Sequence, residues 1–139
     1  MLVPQCRVRK RMSVSVRDRP STSFGERRRP SGAPDISMLV LHYTGMENCD
    51  VALNRLCDPT HEVSAHYLID EDGTTYRLVP DEKRAWHAGN SYWRSETDVN
   101  SASLGIELVN PGHEFGYRPF PDTQISALIG LGSDLIAKY

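Results

Sequence analysis

Two side chains sit where chemistry could be done. His42 ends the apolar run Met38-Leu39-Val40-Leu41. An imidazole there needs a partner for each ring nitrogen or a metal ion. It is therefore either a hydrogen-bonded structural histidine or a ligand. Glu107 lies between Ile106 and Leu108, inside the run Leu104 to Val109. An ionised carboxylate in a buried run is costly unless it is paired or its pKa rises. A raised pKa is what a general acid/base needs near neutral pH. The alternative is a strand face open to water. Gly105, on the same face as Glu107, leaves room for a ligand to approach. A third candidate is Trp86-His87-Ala88-Gly89-Asn90, which reads as a sugar- or peptide-binding loop. His66, inside a strand-like run, reads as a core histidine with both nitrogens satisfied. His61 and His113 read as loop residues. Tyr92 and Trp93 either line a groove or cover the core.

These residues need a scaffold, and the pattern supplies one. Met38 to Leu41 fits a strand buried on both faces of a sheet covered by helices. It ends at His42-Tyr43-Thr44-Gly45. Asp50 can cap a short helix carrying Val51, Leu53, Leu56 and Cys57, which Pro59 stops. Ser64 to Ile69 and Thr74 to Val79 are strands joined through Glu71-Asp72-Gly73, a hairpin signal. Leu104 to Val109 is the next strand. Leu104, Ile106 and Leu108 share one face; Gly105, Glu107 and Val109 share the other. It ends at Asn110-Pro111-Gly112. Asp122 or Thr123 then caps a helix with an apolar stripe of Ile125, Leu128, Ile129, Leu135, Ile136 and Tyr139. The fold class is α/β (α+β), a single mixed sheet flanked by helices.

At 139 residues the chain is one domain's worth. Its net charge of −2 hides a split. Residues 1–34 carry +7 and the remainder −9. Residues 1–34 read as a basic, disordered arm or one laid over the domain at its end, with the domain over 35–139 and folded structure from about Ile36. Such an arm could bind nucleic acid or an anionic membrane surface. Only Phe24 interleaves with the arginines, so no nucleic-acid partner is expected. No apolar run is long enough to span a bilayer, so no transmembrane segment is expected. No apolar stretch follows the basic start, which points to the cytoplasm, with the periplasm as the alternative. Cys6, Cys49 and Cys57 make neither a disulfide framework nor a thiolate zinc site, and read as reduced thiols. No GxGxxG, P-loop, HExxH or GxSxG motif occurs. Oligomeric state is not legible.

Four segments in order resemble the type 2 N-acetylmuramoyl-L-alanine amidases, the AmpD-like family, whose fold is shared with peptidoglycan recognition proteins. They are Met38-Leu39-Val40-Leu41-His42-Tyr43-Thr44-Gly45, Val63 to Ile69 with Asp72-Gly73, Arg84-Ala85-Trp86-His87-Ala88-Gly89, and Leu104-Gly105-Ile106-Glu107-Leu108-Val109-Asn110. The resemblance covers residues 36 to 139. It implies hydrolysis of the amide between N-acetylmuramic acid and L-alanine in peptidoglycan or its muropeptides. It also implies a zinc ion (Zn2+) held by two His and one Asp, with His42 matching the first ligand. Glu107 matches the acid/base glutamate. Trp86 and His87, with Asn110, match positions lining the substrate groove. In the family the second His, the Asp and a nearby Lys follow the helix placed here at 123–139. The expectation is a domain missing its C-terminal part, with the other ligands beyond Tyr139. A non-catalytic peptidoglycan-binding module or an inactive fragment is the alternative.

Overall fold

A computed structural model describes residues 14–139. In chain order the elements are β1 (Val16–Asp18), β2 (Phe24–Glu26), β3 (Met38–Tyr43), α1 (Cys49–Cys57), β4 (Tyr67–Ile69), β5 (Thr75–Arg77), β6 (Lys83–Ala85), α2 (Val99–Ala102), β7 (Ser103–Leu108) and α3 (Asp122–Lys138). Five strands form one mixed sheet in the order β1-β5-β4-β7-β3, and β2 pairs with β6 alone. This is the expected α/β class.

The sheet separates two apolar clusters. Alternation along β7 sends Leu104, Ile106 and Leu108 to one face, where Leu131 and Leu135 of α3 cover them with Tyr67 and Ile69. Val109, just past β7, joins Leu68, Leu78 and the α1 residues Ala52, Leu53 and Leu56 on the other. Fully burying each such Leu or Ile side chain stabilises the fold by about 1.5–3 kcal/mol. The β4–β5 hairpin forms as its Asp-Gly turn requires: Gly73 sits at φ +88, and an added Cβ would stand 3.0 Å from the Thr123 carbonyl oxygen.

Several expectations are corrected. Among the described residues β3 lies at one end of the sheet, and it is only half-buried rather than buried on both faces, with Leu41 54% exposed. Asn48, not Asp50, caps α1, its side chain accepting from the Val51 N–H. No side chain caps α3, which follows Pro121. Its inward stripe is Gln124, Leu131 and Leu135, with Ala127 and Leu128 packed alongside. Ile129 and Ile136 point outward, at 63% and 73% exposed. Gln124 faces inward because its Nε2 donates to the carbonyls of Ile69 and Val109, tying the ends of β4 and β7 together.

The basic segment is corrected too. Residues 1–13, with Cys6 and part of the arm, lie outside the described residues. From Val16 onward the chain is built into the fold, so the disordered reading fails there and the alternative, a segment laid over the domain, holds. β1 pairs in parallel with β5, and β2 pairs antiparallel with β6. Ser21 Oγ donates to the Leu56 carbonyl, and Ser64 Oγ to that of Ser23. Ordered structure therefore begins well before Ile36.

Candidate active site

The site is assembled where β7 lies between β3 and β4. In the parallel register His42 stands opposite Glu107, and Val40 opposite Gly105. Strand neighbours lie about 4.8 Å apart and register partners share a face. His42 and Glu107 therefore project from the same side of the sheet. Leu68 of β4 flanks Glu107 on its other side. One carboxylate oxygen, Glu107 Oε2, is buried without a hydrogen-bond partner. Desolvation alone pushes the Glu107 carboxyl up to about 7. Of the two readings of Glu107, a buried carboxyl and a strand face open to water, the structure agrees with the first, with the carboxyl desolvated across from an imidazole.

Two more imidazoles lie behind His42. His42 Nε2 is 3.0 Å from His87 Nδ1, and the ring planes are 71° apart. His87 Nε2 is 3.1 Å from Ser103 Oγ, whose hydroxyl donates to the Val99 carbonyl at 2.5 Å. Burial lowers the pKa of His42. Burial first, and then electrostatic opposition from His66, His42, Arg27 and Arg84 to a charge on its ring, take His87 down to about 3. His66 is fully buried, and its Nδ1 accepts from the Gly105 N–H. Nε2 then carries the ring proton and donates to the Lys83 carbonyl at 3.0 Å. Arg27 Nη2, 3.1 Å from that same nitrogen, is a positive neighbour rather than a partner. Burial above all, then that guanidinium, hold His66 neutral, at about 4. The reading of His66 as a satisfied core histidine agrees with this geometry.

Gly105 does not leave room for a ligand, as its sequence context suggests. The His87 ring lies on it. A Cβ at residue 105 would stand 2.4 Å from His87 Cγ. Gly105→Ala is therefore expected to push the ring off and to cost about 1–3 kcal/mol by overpacking. Urea unfolding with the histidine ring NMR signals checks this. An unchanged midpoint with unmoved His87 signals would contradict it.

The structure brings His42, His87 and Glu107 together, but not the other expected site residues. Trp86 turns away from His87 toward β2, its indole Nε1 3.9 Å from where a Cβ of Gly25 would stand. Asn110 is fully buried, and both ends of its amide are taken. Nδ2 donates to the Arg118 carbonyl and Oδ1 accepts from the Gly112 N–H. It shapes the turn after β7 and is not placed to bind substrate. Two residues with no motif support the site instead. Asn100 Oδ1 accepts from the N–H groups of His87 and Ala88, and Ser103 holds the far side of the His87 ring. Neither gives a signal in hydrophobic periodicity. The thiol of Cys49 is pushed up to about 12 by burial first and then by Asp70, so it carries no reactive thiolate.

Among the described residues, no three His, Cys, Asp or Glu side chains cluster to hold a metal ion. A catalytic zinc needs three protein ligands. His42 offers one imidazole nitrogen, so the described residues fit one corner of such a site and not the whole of it.

The sequence profile of the N-acetylmuramoyl-L-alanine amidase family, Amidase_2, matches residues 32–139. The chain is 42% identical over 118 residues to N-acetylmuramoyl-L-alanine amidase AmiD of Escherichia coli (strain K12), covering 76% of this chain and 42% of that protein. It is 38% identical over 77 residues to 1,6-anhydro-N-acetylmuramyl-L-alanine amidase AmpD of Enterobacter cloacae, covering 55% of this chain and 39% of that protein. A crystal structure of selenomethionine AmpD superposes with a TM-score of 0.74 at 28% identity, covering 89% of this chain and 75% of that one. E. coli AmiD in complex with anhydro-N-acetylmuramic acid-L-Ala-D-gamma-Glu-L-Lys superposes with a TM-score of 0.69 at 38% identity, covering 84% and 52%. The chain thus spans about two-fifths of the length of these two curated relatives.

Proposed function

We propose, for a chain that belongs to the N-acetylmuramoyl-L-alanine amidase family, that its site hydrolyses the amide between N-acetylmuramic acid and L-alanine in peptidoglycan fragments. The observation that carries this reading is Glu107, desolvated and with one oxygen unpartnered, directly across from His42. A carboxyl poised near neutrality can take a proton from water as it attacks the amide carbonyl. It can return that proton to the alanine nitrogen as the C–N bond breaks. Such a group contributes about 10²–10⁴-fold to rate. The AmiD complex with an anhydro-muramyl peptide supports muropeptides as the substrate class. The proposed location is the cytoplasm, where recycled fragments are the substrate pool.

His42 is proposed as one ligand of a zinc ion. When bound, zinc would polarise the carbonyl and acidify the attacking water. With no three-donor cluster among the described residues, the chain is expected to hold zinc weakly. Metal analysis after dialysis should find well under one equivalent per chain. One tightly held zinc would contradict this.

Incubation with an anhydro-N-acetylmuramyl peptide in the presence of zinc, followed by mass spectrometry, tests the activity. The expected products are a peptide with a free N-terminal alanine and a sugar with a free lactyl carboxylate. Binding without release would favour the second reading, a non-catalytic peptidoglycan-binding module, with which the lack of a three-donor cluster among the described residues is consistent.

A further inference from the structure

We propose that Ser103 and His87 act as positioning residues that fix the tautomer of His42, so that its Nε2 carries the proton and its Nδ1 presents the free lone pair. The proposal deepens the reading of His42 as a site residue and rests on that reading only for its consequence. Ser103 has one hydroxyl proton, and it is committed to the Val99 carbonyl at 2.5 Å. Ser103 Oγ can then meet His87 Nε2 at 3.1 Å only as an acceptor, so that nitrogen carries a hydrogen. A neutral imidazole has one N–H, so His87 Nδ1 is bare. It must accept, and its partner at 3.0 Å is His42 Nε2. That nitrogen therefore donates, and the one lone pair left on the His42 ring is on Nδ1.

Three features hold the relay in one orientation. The backbone N–H groups of His87 and Ala88 are pinned by Asn100 Oδ1 at 3.0 and 2.8 Å. The His87 ring rests on Gly105, where a Cβ would clash. Ser103 is fully buried, and its carbonyl is held by Arg27 Nη1 at 2.9 Å. A free histidine interconverts its tautomers, whereas this one is aimed. Outer partners that set the tautomer of a ligating or proton-handling histidine are a general device. The free lone pair of His42 is thereby placed on Nδ1, in the residue that stands opposite Glu107 in the sheet.

The test is NMR of the metal-free protein labelled with 15N histidine, which reads the rings whether or not the protein cleaves amides. The expected wild-type result is a pyrrole-like Nε2 and a pyridine-like Nδ1 on His42. A slowly exchanging His42 Nε2–H should couple across the hydrogen bond to His87 Nδ1. Ser103→Ala, with the amide spectrum showing an intact fold, should lose that slowly exchanging signal. Ser103→Thr, which keeps the hydroxyl, should retain it. A proton on His42 Nδ1 in the wild type, or a shared proton residing on His87, would overturn the proposal. So would a Ser103→Ala protein whose His42 signal is unchanged.

Discussion

Glu107→Gln is expected to cut amide hydrolysis by about 10²–10⁴-fold in a protein that carries this segment and turns over, and at the same time to stabilise the fold at alkaline pH. The two effects share one cause. Burial lifts the carboxyl to about 7 in the folded state, against an ordinary value of 4.5. A raised folded pKa means that the protonated form is the one the fold favours. That favourable contribution is fully present below about pH 4.5 and is lost as pH rises through about 7. Gln has the same shape and no charge to desolvate. The stability gain of the variant over the wild type should therefore be small near pH 4.5, grow through the window between, and level off above about pH 7. The shift sets a ceiling of about 3 kcal/mol on that gain. Denaturant unfolding of chelator-treated protein at pH 4.5 and pH 8 reads it. An equal difference at both values would mean that the Glu107 carboxylate is solvated.

Arg27→Ala is expected to lower stability by roughly 2–3 kcal/mol, because it strips the partner from several main-chain carbonyls at once. The guanidinium donates to the Asp81 carbonyl through Nε and Nη2, and to those of Ser101 and Ser103 through Nη1. It ties the segment following β2 to the start of β7, the strand that carries Glu107. The loss should reach the site as well, since Ser103 is also the acceptor for His87. Urea unfolding checks the stability change, and an unmoved midpoint would show that water replaces the guanidinium without cost.

The central strand and its two faces were legible in the sequence because period-two alternation is imprinted on Leu104 to Val109. The hairpin at Asp72-Gly73 was legible because only a few residue types suit a left-handed turn. His42 and Glu107 stood out as polar groups in apolar runs, and register brought them face to face. The strands at Val16 and Phe24 were hidden. Each is three residues long in an Arg- and Ser-rich stretch, and is held by backbone pairing and by the reach of Arg27 rather than by an apolar pattern. Gln124, Asn100 and Ser103 were hidden for a related reason. Their burial is set by distant N–H, C=O and ring groups that they satisfy, and no local pattern encodes those partners. Gly105 was noticed but misread, since the space it leaves is filled by a side chain eighteen residues earlier in the chain. Asn110 followed the family resemblance and yet points into the protein, where the turn after β7 uses both ends of its amide.

The amidase reading requires the Glu107 carboxyl to be desolvated across from His42. A 13C NMR titration of the Glu107 side-chain carboxyl in metal-free protein reads this. The expected midpoint is about 7. A midpoint at the ordinary glutamate value, near 4.5, would show a hydrated carboxylate and contradict the acid/base role drawn here.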